Sequence, residues 1–186
     1  MALRIIAGEL KGRKLRSVPG TKTRPTANRT REAIFNILSF QIRNSCVLDL
    51  FAGTGAFGIE ALSRGAAKAV FVDIDIDSIS VLQANINRLC LESRAKIIRW
   101  NLTKNLNCLP SLGITFNLVF MDPPYNKKMI APTLSNLHRS QSMVNGTRLT
   151  VEHSSKEPLI IDQLPFEITD QRRYGKTLVS FLEYVI

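Results

Sequence analysis

Four consecutive residues, Asp122-Pro123-Pro124-Tyr125, combine a carboxylate, two backbone positions without an amide hydrogen, and an aromatic plate. Proline fixes φ and lacks an N–H, so this corner keeps carbonyls able to accept and has few donors to compete for them. Such a corner suits an exocyclic amine on a flat base. That amine is a poor nucleophile while its lone pair is delocalised into the ring. Asp122 and the Pro123 carbonyl can accept its hydrogens, draw the nitrogen towards tetrahedral geometry and free the lone pair, while Tyr125 stacks on the ring. The chemistry implied is group transfer to nitrogen, accelerated mainly by alignment, which can contribute roughly 7–11 kcal/mol. Attack needs no strong base, because the proton becomes acidic only after transfer; Asp122 or water can then take it.

A second motif, "DLFAGTGAFG" from Asp49 to Gly58, spells G-x-G-x-x-G through Gly53, Gly55 and Gly58, and Asp73 lies 20 residues beyond Gly53. As a bare pattern this fits a nicotinamide dinucleotide or S-adenosylmethionine. Without Cβ atoms, the glycines would let the backbone approach either ligand. Charge separates the two. A dinucleotide sets its pyrophosphate against the loop and the following helix start. With Asp49 about 5 Å away, that contact would cost about 3 kcal/mol at an effective dielectric near 20. The ammonium and sulfonium of S-adenosylmethionine reverse the sign, and a methyl group on sulfur is the group the first motif would transfer. Asp73, ending the second strand, is placed to accept both ribose hydroxyls, and Asp75 or Asp77 caps the next helix. Asn101, closing "KIIRWN", is placed to meet the adenine amine, with Ile74 and Leu102 as apolar walls. The rival reading of Asn101 is a surface residue at a strand end.

These motifs need a scaffold that puts both loops on one rim. "CVLDLF", "AVFVDID", "KIIRWN", "FNLVFMD" and "GTRLTVEHS" read as strands, alternating with helices in "GIEALSRG", "DSISVLQANINRLC" and "KKMIAPTLSNLHR". That alternation predicts an α/β fold with a mostly parallel sheet covered on both faces. "FEITDQRR" and "LVSFLEYVI", joined through Tyr174-Gly175-Lys176, predict a terminal antiparallel hairpin. Upstream, "LRIIAG" and "KLRSV" predict a basic hairpin. "TANRTREAIFNILSF" predicts a helix capped by Thr26 or Asn28, with Ile34, Phe35, Ile37, Leu38 and Phe40 at helical spacing. The 186 residues, 45% hydrophobic, are expected to form one domain, 1–186, with residues 1–40 as an extension docked on a core of 41–186.

The formal charge is +10, and residues 1–31 carry nine basic side chains against Glu9 alone. An ordered basic surface for a phosphate backbone follows, with Arg13 and Lys14 among its contacts. Arg172, Arg173 and Lys176 could extend it or belong to a solvated turn. No apolar run approaches about 18 residues and "MALRIIAGELKGRK" lacks a signal-peptide stretch, so no membrane association and a cytoplasmic location are expected. Cys46, Cys90 and Cys108 form no CxxC pair and read as reduced, partly buried thiols. With only His138 and His153 besides, no metal site is expected.

The sequence resembles the bacterial small-subunit ribosomal RNA guanine-N2 methyltransferases of the RsmD type along its whole length. The likeness is carried by "RIIAGELKGRKL", "RPTANRTREAIFNIL", "DLFAGTGAFGIEALSRGA", "FVDID", "DPPY" and "YGKTLVSF". It implies a class I S-adenosylmethionine-dependent methyltransferase, a Rossmann-like fold with a seven-stranded sheet. It also implies a guanine amine of 16S ribosomal RNA as acceptor, in assembled or partly assembled small subunits; the chain itself is expected to be a monomer. By motif position Asp49, Phe51, Ala52, Gly53, Thr54, Gly55 and Asp73 become cofactor contacts, and Asp122, Pro123, Pro124 and Tyr125 the acceptor site. Asn101 stands where wider methyltransferase families commonly have an acid. The block holding Arg24, Thr26, Arg29 and Arg31 would line the RNA or the cofactor entrance. Competing readings keep the donor and change the acceptor to adenine in DNA or another RNA, or make the chain an RNA-binding assembly factor. A dehydrogenase would require nicotinamide cofactor binding.

Overall fold

The computed structural model describes residues 3–18 and 25–186, with the backbone alone for 25–27. The main elements are α1 (Pro25–Ile37), β1 (Cys46–Leu50), α2 (Ala56–Ser63), β2 (Lys68–Asp73), α3 (Ile76–Arg88) and β3 (Ala95–Arg99). They continue with β4 (Phe116–Met121), α4 (Ile130–Arg139), β5 (Met143–Ser154), β6 (Phe166–Tyr174) and β7 (Thr177–Tyr184). The seven strands lie in the order β3-β2-β1-β4-β5-β7-β6. β1 to β5 pair in parallel, and β7 runs antiparallel to both β5 and β6.

Runs such as Val70-Phe71-Val72 and Leu118 to Met121 are buried throughout, as strands covered on both faces must be. Alternate side chains enter two cores. Val47, Phe71, Leu118 and Phe120 pack with Ile34 and Phe35 of α1, Ile59 of α2 and Leu82 of α3. Leu48, Val70, Val119 and Met121 pack with Leu134 and Leu137 of α4. The chain reverses its lateral direction between β1 and β4, so the carboxyl ends of these two strands flank a topological switch point. Both candidate motifs follow them. Among the described residues no helix is long and apolar enough to cross a membrane.

One expectation outside the sheet holds in reduced form and three need correcting. The basic hairpin forms a single antiparallel bridge, Arg4 to Lys14, without regular strands. Its backbone pairs across that bridge, the Ile5 amide donating to the Arg13 carbonyl (3.0 Å) and the Leu15 amide to the Leu3 carbonyl (2.9 Å), while side chains of the core take amides that lie outside it. Glu60 accepts the amides of Ile6 (2.7 Å) and Ala7 (3.0 Å), Ser63 Oγ accepts that of Leu10 (3.0 Å), and Asn85 accepts that of Arg16 (2.8 Å). In α1, Thr26 and Asn28 lie inside the helix rather than at its cap, because Pro25 occupies its first turn, where a missing amide costs nothing. Phe40 falls past the helix in a 3-10 turn and is 99% exposed, and Cys90 is exposed rather than partly buried.

Candidate active site

Asp49, the fourth residue of β1, is buried and reaches across the glycine turn, where its Oδ2 accepts the amide of Gly58 in α2 (2.8 Å). Burial pushes its carboxyl up to about 8; the Gly58 amide opposes this and the charge of Asp73 adds to it. Asp73, at the end of β2, accepts the amides of Gly53 (2.7 Å) and Asp75 (2.9 Å), one on each oxygen. Each oxygen keeps a further lone pair, as a ribose diol would need. Asp75, not Asp77, caps α3 by accepting the amide of Ser78 (2.8 Å).

The glycines divide the work differently from the expectation that all three admit a ligand. A Cβ on Gly55 would lie 2.3 Å from Leu82, and one on Gly58 2.3 Å from the Phe71 ring. These two let α2 pack on the sheet and α3. At Gly53 the nearest such contact is 3.9 Å, so of the three it alone faces open space. Phe51 before it has φ of 58°, an uncommon conformation for a bulky residue. The amide of Ala52 extends the sheet to the Val72 carbonyl (3.2 Å), and Asn85 ties the Thr54 carbonyl (3.0 Å) to Arg16.

The second loop leaves β4 beside it. Phe120, two residues before Asp122, packs against Phe35 and Phe57 with ring centroids 5.2 Å apart in each case. Asp122 is reachable by solvent yet ringed by protein. That enclosure, then Glu152, then Asp49, push its carboxyl well above the ordinary carboxylate range. Pro123 is buried and Pro124 exposed. The Tyr125 hydroxyl donates to Glu152 (2.5 Å) and contacts Thr177 Oγ1 (2.9 Å), which fixes the ring; burial and the Glu152 bond raise the phenol further. Glu152 was missed in the sequence. Its signal was a carboxylate within the apolar run of β5, where Met121 pairs with Val151 and brings Glu152 level with Asp122. Four carboxylates therefore gather at the ends of four adjacent strands.

An open groove of about 380 Å³ lies beyond Asp73, lined by Ile74, Trp100 and Asn101 among others. Ile74 is 51% exposed, as an apolar wall would be. Leu102 is packed in the second core and does not line the groove; Trp100, fixed by its indole N–H on Asn105 (3.0 Å), takes that position. The Asn101 oxygen is occupied by the amide and hydroxyl of Thr103 (3.2 and 2.9 Å). With both lone pairs engaged it cannot also accept an adenine amine, so Asn101 has only its own N–H donors to offer a ring nitrogen.

Among the residues expected to meet RNA, Arg13, Lys14 and Arg29 are exposed. Arg31 is not available: it is 3% exposed, donates to the Arg4 carbonyl and to Asn28, and lies near Glu60 and Arg64. It secures the extension instead. Arg24 lies outside the described residues, as does the Thr26 side chain.

This strand order, with a glycine turn after β1 and an acidic proline corner after β4, is the fold of the S-adenosylmethionine-dependent methyltransferases. A solved Escherichia coli structure named provisionally as the methyltransferase yhhF superposes with a TM-score of 0.85 at 28% identity, over 100% of this chain and 99% of that one. The chain belongs to the family described as "Conserved hypothetical protein 95", matched over residues 3–183. Ribosomal RNA small subunit methyltransferase D of Haemophilus influenzae is 35% identical over 85% of this chain and 82% of its own length. YlbH of Bacillus subtilis, named provisionally as an rRNA methyltransferase, is 34% identical over 96% and 97%. The protein is a methyltransferase of this family.

Proposed function

We propose that the chain uses S-adenosylmethionine to methylate the N2 amine of a guanine in 16S ribosomal RNA, presented by small subunits or their assembly intermediates. The gathering of Asp49, Asp73, Asp122 and Glu152 carries this reading. A pyrophosphate would add to the crowding that disfavours charge on Asp49 and Asp122, whereas a ligand with an ammonium and a sulfonium offsets it. The residues present fit that ligand: Asp73 for the ribose, Gly53 open at its Cβ position, and the Ile74–Trp100 groove for a purine. When bound, S-adenosylmethionine supplies an electrophilic methyl group on a sulfonium.

The chain does the positioning. Asp122 and the Pro123 carbonyl hold the two hydrogens of the amine, and the Tyr125 ring, tethered through Glu152 and Thr177, sets the plane of the base. Surroundings that raise the Asp122 carboxyl make its ionised form a better acceptor for the proton shed by the methylated nitrogen. Full ionisation is not needed earlier, since attack requires the lone pair and not a base. The names of the family relatives support ribosomal RNA as the substrate class, and the exposed Arg13, Lys14 and Arg29 supply charge for its backbone.

The test is transfer of labelled methyl from S-adenosylmethionine to undermethylated small subunits, followed by nucleoside analysis. Label is expected in N2-methylguanine of 16S RNA, and Asp122→Ala should lower kcat by about 10²-fold or more. Label in N6-methyladenine, or undiminished turnover by the variant, would refute the assignment.

A further inference from the structure

We propose that a cavity beside the proline corner, between the start of α4 and the Lys156–Ile160 segment, binds the nucleotide adjoining the target base. This rests on RNA being the acceptor. The cavity measures about 400 Å³, lined by Lys128, Ile130, Ala131, Lys156, Pro158 and Ile160, with Glu157 between them. Its size falls in the range of about 300–1,000 Å³ usual for small-ligand sites.

The lining has two characters. Ile130, Ala131, Pro158 and Ile160 offer an apolar wall, and Ile160 is 62% exposed at its rim. Lys127, Lys128 and Lys156 are exposed, and none forms an ion pair among the described residues. An apolar plate flanked by free ammonium groups matches the face of a base and its phosphate. The sign of the charge changes over a short stretch of chain. Asp122 precedes Tyr125, which would hold the base, and Lys127 and Lys128 follow just after it.

The cavity is also fixed to the acceptor corner. Glu157 accepts the amides of both Asn126 (2.5 Å) and Lys128 (2.9 Å), whose φ angles of 58° and 54° lie in the left-handed region. The Glu157 carbonyl in turn contacts Nδ1 of buried His153 (2.9 Å), whose Nε2 contacts Ser180 Oγ (2.8 Å). Since a carbonyl only accepts, Nδ1 carries a hydrogen towards Glu157. The cavity wall is thus tied to β5 and β7, and its Lys128 stands three residues beyond Tyr125. Enzymes that extract a base draw sequence preference from the nucleotides flanking it, and this wall is built to read one of them.

Single-stranded RNA with 4-thiouridine next to guanosine, irradiated with the chain and adenosylhomocysteine, should crosslink within residues 128–131 or 156–160. A Lys156→Ala/Ile160→Ala double variant, altered only at exposed positions, should lose that adduct. It should also raise KM for undermethylated subunits about tenfold while kcat stays within about twofold, the pattern of weakened substrate binding with the chemistry intact. Adducts confined to other segments, or an unchanged KM, would overturn the proposal. Adducts at the cavity from a chain that transfers no methyl to subunits would uphold the nucleotide site and remove the guanine assignment.

Discussion

Asp49 and Asp122 are carboxyl groups in surroundings that disfavour their charge, each with another carboxylate nearby that disfavours it further. A cation entering the crevice opposes both effects, so ligand binding should release protons. The sign follows from linkage. In the free chain the Asp49 carboxyl stands at about 8 against an ordinary 3.8, so the folded state binds more protons than the unfolded one in that window. Stability linked to Asp49 is present at the acid end of the window and falls as pH rises through it. Adenosylhomocysteine affinity should move the other way, rising by up to about tenfold per unit between about pH 6 and 8 and then levelling off. Calorimetric titration across that range checks this, with Asp49→Asn as the reference carrying the ligand's own titration. Parent and variant curves of equal slope would show that no cation meets this carboxyl.

At the scale of elements, α2 is the beam to which both the extension and the glycine turn are fastened. Its N-terminus is pinned through Gly58 to Asp49, and its buried Glu60 holds Ile6, Ala7 and the Arg64 guanidinium (2.7 Å), with Arg31 close by. Removing a carboxylate that neutralises buried cations leaves them uncompensated, at a cost of about 3–5 kcal/mol. Glu60→Ala should therefore lose about that much stability in denaturant unfolding. The amides of Ile6 and Ala7 should lose hydrogen-exchange protection first, while β1 and β4 stay protected. A variant that melts uniformly, with those amides no faster than the core, would show the extension is not held by this clamp.

The molecule as a whole separates its charges. Carboxylates occupy the crevice at the carboxyl ends of β1, β2, β4 and β5, whereas the extension presents Arg13 and Lys14 to solvent. The first arrangement suits a cationic cofactor and the second a polyanion, so a single surface need not serve both. Replacing Arg13 and Lys14 with Ala should weaken subunit or RNA binding. It should also reduce the slope of log affinity against log salt by about 0.7–0.9 for each phosphate no longer neutralised. Binding measured at several salt concentrations decides this, and an unaltered slope would place the RNA elsewhere.

Much of the architecture was legible because burial on both faces of a parallel sheet writes itself as short apolar runs. Each run led into its own chemistry: the glycine turn after β1, Asp73 closing β2 and the proline corner after β4. The hairpin of β6 and β7 was equally plain from Tyr174-Gly175-Lys176. Periodicity says nothing about what a backbone amide will choose as its partner. Hence the N-terminal hairpin pairs only around Arg4 and Lys14, and the amides of Ile6, Ala7, Leu10 and Arg16 go to Glu60, Ser63 and Asn85 from far along the chain. Arg31 looked like a surface base until α1 turned it inward, and Leu102 was drawn into the core while Trp100 took the groove. Local sequence determined which residues could do chemistry, since that depends on side-chain type and neighbouring backbone. Which carboxylates meet, and which cations stay exposed, depended on long-range register, and only the folded sheet supplies it.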